Sequence, residues 1–316
     1  MLIFYIFLVR FKMINFYMSI INKLALALMP LLPKVFVYQF ARKYVAGTTK
    51  ETALDAIKKL NDAGYLVTLD ILGEHTESER AASNVADEYA DLYREIGLRK
   101  LDSNISIKPS HIGSDLSEDI YNKNLDTIIK ASEDSGNFLR IDMESSKTTD
   151  FTIGSFIEER NKGFHIGTVF QAYLHRTFDD IRKLDPRNLN FRLCKGIYKE
   201  SDDICINDRT EINNNYLKIL RYAFDKDIYV GIATHDTTLL ESVHSLIDEM
   251  GVSADRFEFQ VLYGVPMHGW SQKNLDMGYR VRVYVPFGGD WYKYSIRRLK
   301  ENPDIAGYII KNIFSR

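Results

Sequence analysis

From residue 65 onward, short apolar runs rich in β-branched and aromatic residues alternate with longer stretches in which apolar residues return every three to four positions. The runs are GYLVTLDILG (64–73), NISIKPS (104–110), NFLRIDMES (137–145), IGTVFQAYL (166–174), NFRLCKGIY (190–198), IYVGIATHD (228–236), FEFQVLYG (257–264) and YRVRVYVPFG (279–288). Segments such as SERAASNVADEYADLYREIG and NNNYLKILRYAFDKD separate them and carry the helical period. Near-continuous apolar strands divided by helices predict a parallel sheet covered on both faces. Eight strand-then-helix units predict an α/β chain folded as a (β/α)₈ barrel. An open doubly wound sheet is the structural rival, but it usually shows fewer strands and a Gly-rich phosphate turn, and neither GxGxxG nor GxxxxGK[ST] occurs here.

In a (β/α)₈ barrel the chemistry sits at the C-terminal ends of the strands. The second run ends in Lys108, the third in Asp142 and Glu144, and the fourth in Gln171 and Tyr173. Arg192, Lys195 and Tyr198 follow from the fifth, Thr234 and His235 from the sixth, Gln260 and Tyr263 from the seventh, and Tyr284 from the eighth. Interior layers of such barrels favour Val, Ile and Leu, and buried charge is costly unless paired, so this polar rim marks a site. Further on, YSIRRLKENPD (294–304) sets Tyr294 three residues before Arg297, and Glu301 three after Arg298. Helical spacing gathers these side chains on one surface, where the guanidinium forks suit a carboxylate ligand. The cations imply an anionic occupant. No HxH, HExxH or Ser nucleophile elbow is present, and Cys194 and Cys205 are too few for a disulfide framework, so a reducing compartment is expected.

Composition is that of a globular protein, 45% hydrophobic and 27% charged, with net charge −2 over 316 residues. The charge is unevenly spread: the first 50 residues hold seven Lys or Arg and no acid. Apolar runs there are short or broken by Pro30, Pro33 and Lys34, which argues against a bilayer span and suggests a helical segment lying on the protein body or, as the weaker alternative, on a membrane surface. The expected division is an N-terminal helical extension (1–45), the catalytic barrel with its last helix (46–302), and a helical tail (303–316).

KYVAG (43–47), LDILGE (69–74), SIKPS, LRIDMES, FQAYLHR, RLCKGIYKE, ATHD, FEFQVLYG and YVPFGGDWYKYSIRRLKENP resemble, in order and spacing, the proline dehydrogenase family, in particular its small bacterial single-activity form. The resemblance covers more than 250 residues. It implies a distorted (β/α)₈ barrel that holds FAD without a Rossmann motif, its last helix lying over the mouth. Arg297, Arg298 and Lys108 would bind the carboxylate of L-proline, Tyr198, Tyr284 and Tyr294 would wall its ring, and Glu301 would tether the arginines. Asp142 and Arg192 correspond to the residues regarded as catalytic, and Arg192, Met143, Gln171, Lys195, Gly196, Ile197, Thr234 and His235 fall where the family contacts FAD.

The implied reaction removes hydride from C5 of L-proline to the flavin, gives Δ1-pyrroline-5-carboxylate and passes electrons to a quinone, in the cytoplasm or at the inner membrane surface. A separate pyrroline-5-carboxylate dehydrogenase is a conceivable partner; a nucleic acid is not. Ile197 replaces the small residue usual in the KGxY turn, Phe287 replaces a tyrosine, and Lys300 with Asn302 departs from the usual stretch after the arginines. Met13 is an alternative start. The rivals are the same oxidation of 4-hydroxyproline, which Tyr284 would crowd, a Schiff-base lyase using Lys108 or Lys195, and a catalytically dead membrane-bound scaffold.

Overall fold

The computed structural model describes residues 34–301, and most of the expected N-terminal extension and all of the tail at 303–316 lie outside them. Eight parallel strands close into a barrel in sequence order: β1 (Leu66–Ile71), β2 (Ser103–Ile107), β3 (Leu139–Ile141), β4 (Ile166–Gln171), β5 (Asn190–Cys194), β6 (Tyr229–Ala233), β7 (Phe257–Leu262) and β8 (Val281–Phe287). Closure is made by β8 against β1, with Val67 opposite Val283 and Asp70 opposite Pro286. Seven of the strands fall inside the apolar runs read from sequence and β2 begins one residue before its run, and the open-sheet rival is excluded.

The helices are α1 (Lys34–Ala41), α2 (Lys50–Asp62), α3 (Glu79–Leu98), α4 (Glu118–Asp134), α5 (Thr149–Asn161), α6 (Thr177–Arg182), α7 (Arg209–Asp225), α8 (Thr237–Met250), α9 (Trp270–Asp276) and α10 (Trp291–Glu301). Several begin on a side chain that satisfies an orphan amide of the first turn: Ser78 for α3, Ser117 for α4, Asp208 for α7 and Asp236 for α8. Their apolar stripes face the outer surface of the strands. Tyr89, Leu92, Tyr93 and Ile96 of α3, and Tyr216, Ile219 and Leu220 of α7, are completely or almost completely buried in the layer between helices and barrel.

Alternation along the strands sends the other set of side chains inward, and that set is rich in polar groups. Thr68, Asp70, Asn104, Ser106, Arg140, Arg192, Glu258 and Gln260 are all buried. At the mouth, α1 packs on α10, with Tyr38 edge-to-face on Trp291 at 5.1 Å. The KYVAG segment locks this corner: Ala46 N donates to Pro286 O, Gly288 N donates to Gly47 O, and Tyr44, Val45 and Leu72 pack with Tyr294. These contacts set α10 over the C-terminal ends of the strands. Among the described residues no helix is long and apolar enough to cross a membrane.

Candidate active site

A cavity of about 850 Å³ opens at the C-terminal ends of the strands beneath α10. Lys108, Asp142, Met143, Gln171, Arg192, Lys195, Gly196, Ile197, Tyr198, Thr234, His235, Tyr284, Tyr294, Arg297 and Arg298 all line it. Of the site residues expected from sequence, only the Glu301 side chain lies outside the described residues. Three rim residues take other places, Tyr263 being partly buried against the hydrophobic core. Tyr173 is buried beneath Gly196, and Glu144 accepts from the backbone amide and hydroxyl of Ser110, fixing the turn after β2.

On the cavity floor, Arg192 rises from β5 and is held by three acceptors. Its Nε donates to Gln260 Oε1 at 2.5 Å, Nη1 to Asp142 Oδ1 at 2.8 Å, and Nη2 to Ser106 Oγ at 3.0 Å. The other Asp142 oxygen accepts from the Tyr284 hydroxyl at 3.0 Å, and the guanidinium stands 5.0 Å from the Tyr284 ring centroid. Asp142 therefore fixes one cation and one aromatic wall together.

Beside this group, Lys108 Nζ donates to both oxygens of Asp70, at 2.8 and 2.9 Å. Burial pushes the Asp70 carboxyl up to about 6 although Lys108 pulls it down. Burial alone would lower Lys108, but the charges of Asp70 and Asp142 outweigh it, so the ammonium is held raised. Asp70 was not among the residues expected from sequence. Its signal was a lone carboxylate inside the apolar run LVTLDIL on the first strand, two residues along from Thr68 on the same face.

On the sixth-strand side, Asp236 caps α8 through Leu239 N and also pairs with Lys195. His235 Nε2 accepts from Leu262 N at 3.0 Å. Burial, with Arg298 nearby, pushes this imidazole down to about 4, so at neutral pH it is neutral and carries its proton on Nδ1. The turn after β5 runs over Tyr173: Gly196 has φ +118°, and a Cβ there would lie 2.0 Å from the Tyr173 ring. Only glycine fits that turn.

From above, α10 contributes Tyr294, Arg297 and Arg298, whose guanidinium carbons stand 5.8 and 5.3 Å from the Tyr294 ring centroid. Arg297 meets Glu74 at 3.7 Å. Glu74 lies on the loop after β1 and was also missed from sequence, because nothing local links it to a helix more than 200 residues away. Carboxylates balance most of the cations lining the cavity, so the site carries locally placed donors rather than a large net positive field.

The proline dehydrogenase family model matches residues 53–309. Proline dehydrogenase 1 of Bacillus subtilis (strain 168) is 36% identical over 277 residues, covering 87% of this chain and 91% of that protein. Proline dehydrogenase of Deinococcus radiodurans is 32% identical over 281 residues, covering 87% and 90%. Among solved structures, proline utilization A from Bdellovibrio bacteriovorus, inactivated by N-propargylglycine, superposes with TM-score 0.78 at 24% identity, covering 88% of this chain and 34% of that one. Proline utilization A from Corynebacterium freiburgense gives TM-score 0.73 at 19% identity over 94% and 34%. The present chain spans about a third of those longer proteins, which share its barrel. Site, fold and sequence kinship converge: this chain belongs to the proline dehydrogenase family and is an oxidoreductase.

Proposed function

We propose that the cavity binds FAD and L-proline together and that the enzyme oxidises L-proline to Δ1-pyrroline-5-carboxylate. The observation that carries this reading is the vertical order of the site, with paired arginines on the capping helix and a pinned Arg192–Asp142–Tyr284 group on the floor of the same cavity. The donor set suits a flavin nucleotide: Arg192, Lys195 and Thr234 are donors, His235 offers Nδ1–H, and Gln171, whose amide nitrogen is committed to Glu144 O at 2.9 Å, keeps its oxygen as an acceptor. Gly196 brings backbone against the cavity where a side chain would not fit. When bound, FAD supplies the two-electron acceptor that side chains lack.

Arg297, Arg298 and Lys108 are the donors for the substrate carboxylate, two through planar forks and one through the ammonium proton left over from Asp70. Tyr198, Tyr284 and Tyr294 enclose the ring, and we take Glu301, whose side chain lies outside the described residues, as the tether of the arginines on closure. Arg192 puts a fixed positive charge where negative charge develops during the transfer, and its three acceptors prevent it from reorganising. The substrate amine must be neutral before hydride leaves C5, so turnover rises with pH above neutrality.

The rivals lose ground on geometry. Lys108 is held charged by Asp70, and Lys195 is engaged in an ion pair with Asp236, which suits neither to Schiff-base attack. The Tyr284 hydroxyl is tied to Asp142, so the ring resists moving aside for a hydroxylated proline. We take a quinone as the onward acceptor, a separate pyrroline-5-carboxylate dehydrogenase as the class of enzyme that consumes the product, and the N-terminal extension (1–45) as the segment that would touch a membrane. We also take residues 46–302 as the catalytic unit. If a protein starting near Tyr44 shows unchanged lipid binding and quinone turnover, the membrane reading is wrong.

The decisive test is the visible spectrum of the purified protein before and after anaerobic L-proline, with trans-4-hydroxy-L-proline alongside. Flavin bands that bleach with proline, and time-dependent inactivation by N-propargylglycine, are expected. A colourless protein that FAD cannot reconstitute, or a flavin that proline leaves oxidised, overturns the reading.

A further inference from the structure

Below the cavity a line of polar side chains descends the barrel interior from Arg192. Gln260 Oε1 accepts from Arg192 Nε at 2.5 Å, while Gln260 Nε2 donates to Glu258 Oε1 at 2.6 Å. The same Glu258 oxygen accepts from Arg282 Nε at 2.7 Å, and Arg282 Nη1 is anchored on the Val67 carbonyl at 2.7 Å. Glu258 is 1% exposed and Gln260 4%. Burial raises the Glu258 carboxyl, but Arg282 outweighs it and holds the group down at about 2, so it is an anion at every working pH.

The chemistry of the ends fixes the middle. A guanidinium can only donate and a carboxylate can only accept, so the amide between them has one orientation: oxygen up to Arg192, nitrogen down to Glu258. Space for it is made by a third strand. Gly231 of β6 faces Arg192 in one register and Glu258 in the other, and a Cβ at Gly231 would stand 2.4 Å from Gln260 Nε2. A glycine in the middle of a strand weakens it and here leaves room for the close approach of Gln260.

We propose that Glu258, Gln260 and Gly231 form a positioning device that sets the rotation of the Arg192 guanidinium, and through it the catalytic step. Three of the five guanidinium N–H groups are committed to Gln260, Asp142 and Ser106, leaving one on each terminal nitrogen for the cavity. Loss of the Nε contact frees the group to turn about its last bonds, which moves those two protons away from the reacting region. This rests on the reading of Arg192 as a group acting on the hydride transfer to FAD. Gln260 borders the cavity while Glu258 and Gly231 lie outside its lining, and all three act through Arg192.

The test compares Gln260→Met, Gln260→Glu and the exchange Glu258→Gln with Gln260→Glu in the holoenzyme. The exchange rebuilds the line with its charge moved up one step, because a carboxylate at 260 accepts from both Arg192 and the new amide at 258. Misplacement of a group by about an ångström costs on the order of 100-fold, so each single variant is expected to lose 10- to 100-fold in kcat with KM for L-proline changed by less than about threefold. The exchange is expected to recover most of that loss. Apoprotein of Gln260→Met, titrated by flavin fluorescence quenching, should bind FAD about tenfold more weakly.

A kcat for Gln260→Met within twofold of the parent, or an exchange no better than Gln260→Glu alone, overturns the proposal. If Gln260→Met does not fold, Gly231→Ala, whose Cβ would crowd Gln260 Nε2, carries the same reading. A parent protein that proline cannot reduce instead refutes the assigned reaction and leaves the FAD titrations to judge the device by themselves.

Discussion

Arg192 and Arg297 are the same residue type set in opposite surroundings. Arg192 leaves the barrel interior with its side chain 8% exposed and three nitrogens on acceptors at 2.5 to 3.0 Å. Arg297 sits on the capping helix 38% exposed and meets Glu74 at 3.7 Å. A buried ion whose donors are satisfied in fixed directions resists motion, because turning it would leave a charged partner unpaired in low dielectric. A partly exposed ion at long pairing distance gives up its partner at little cost. On the proposed reaction, the floor would hold charge still and the capping helix would receive the substrate carboxylate.

The sharpest way to break this contrast is to truncate one arginine from each region. Arg192→Met should lower kcat by about 100- to 1,000-fold, the scale of a lost preorganised donor. It should also destabilise the protein by about 3 kcal/mol, because Asp142 loses its ion-pair partner. Arg298→Met should instead raise KM for L-proline about 10- to 100-fold, the worth of a charge-assisted contact, with unfolding in urea nearly unchanged. Similar kcat and KM effects from both variants would erase the distinction.

A middle-sized effect belongs to Asp70. Its folded carboxyl is held at about 6, above its ordinary 3.8, so between those values the native state binds more protons than the unfolded state and stability falls as pH rises. Above pH 6 the ionised carboxylate holds Lys108 through both oxygens, and the kcat/KM profile should rise through a step near 6. Asp70→Asn should lose that step. If the step persists in this variant, Asp70 is not its source. The smallest effect expected is for Glu74→Gln, under about threefold in KM, since long and exposed pairs are worth little.

The eight strands, the helices between them and the rim were legible in the sequence because periods of two and of about 3.6 are local, and a parallel sheet buried on both faces writes itself as apolar runs. Family resemblance supplied what periodicity could not, the expected roles of Lys108, Asp142, Arg192 and the paired arginines. Asp70, Glu74, Ser106 and Glu258 were not picked out. Each gains its meaning from a partner on another strand or loop, as when Ser106 meets Arg192 or Glu74 meets Arg297.

Sequence by itself thus determined the order of the elements, the side chains at the strand ends and the arginines on the last helix. Only the closed barrel decided which carboxylate neutralises which cation, which way Gln260 points and where His235 keeps its proton. The reason is physical: propensity and pattern act over a few residues, whereas hydrogen bonds and burial join groups that meet when β8 pairs with β1 and shuts the interior from water.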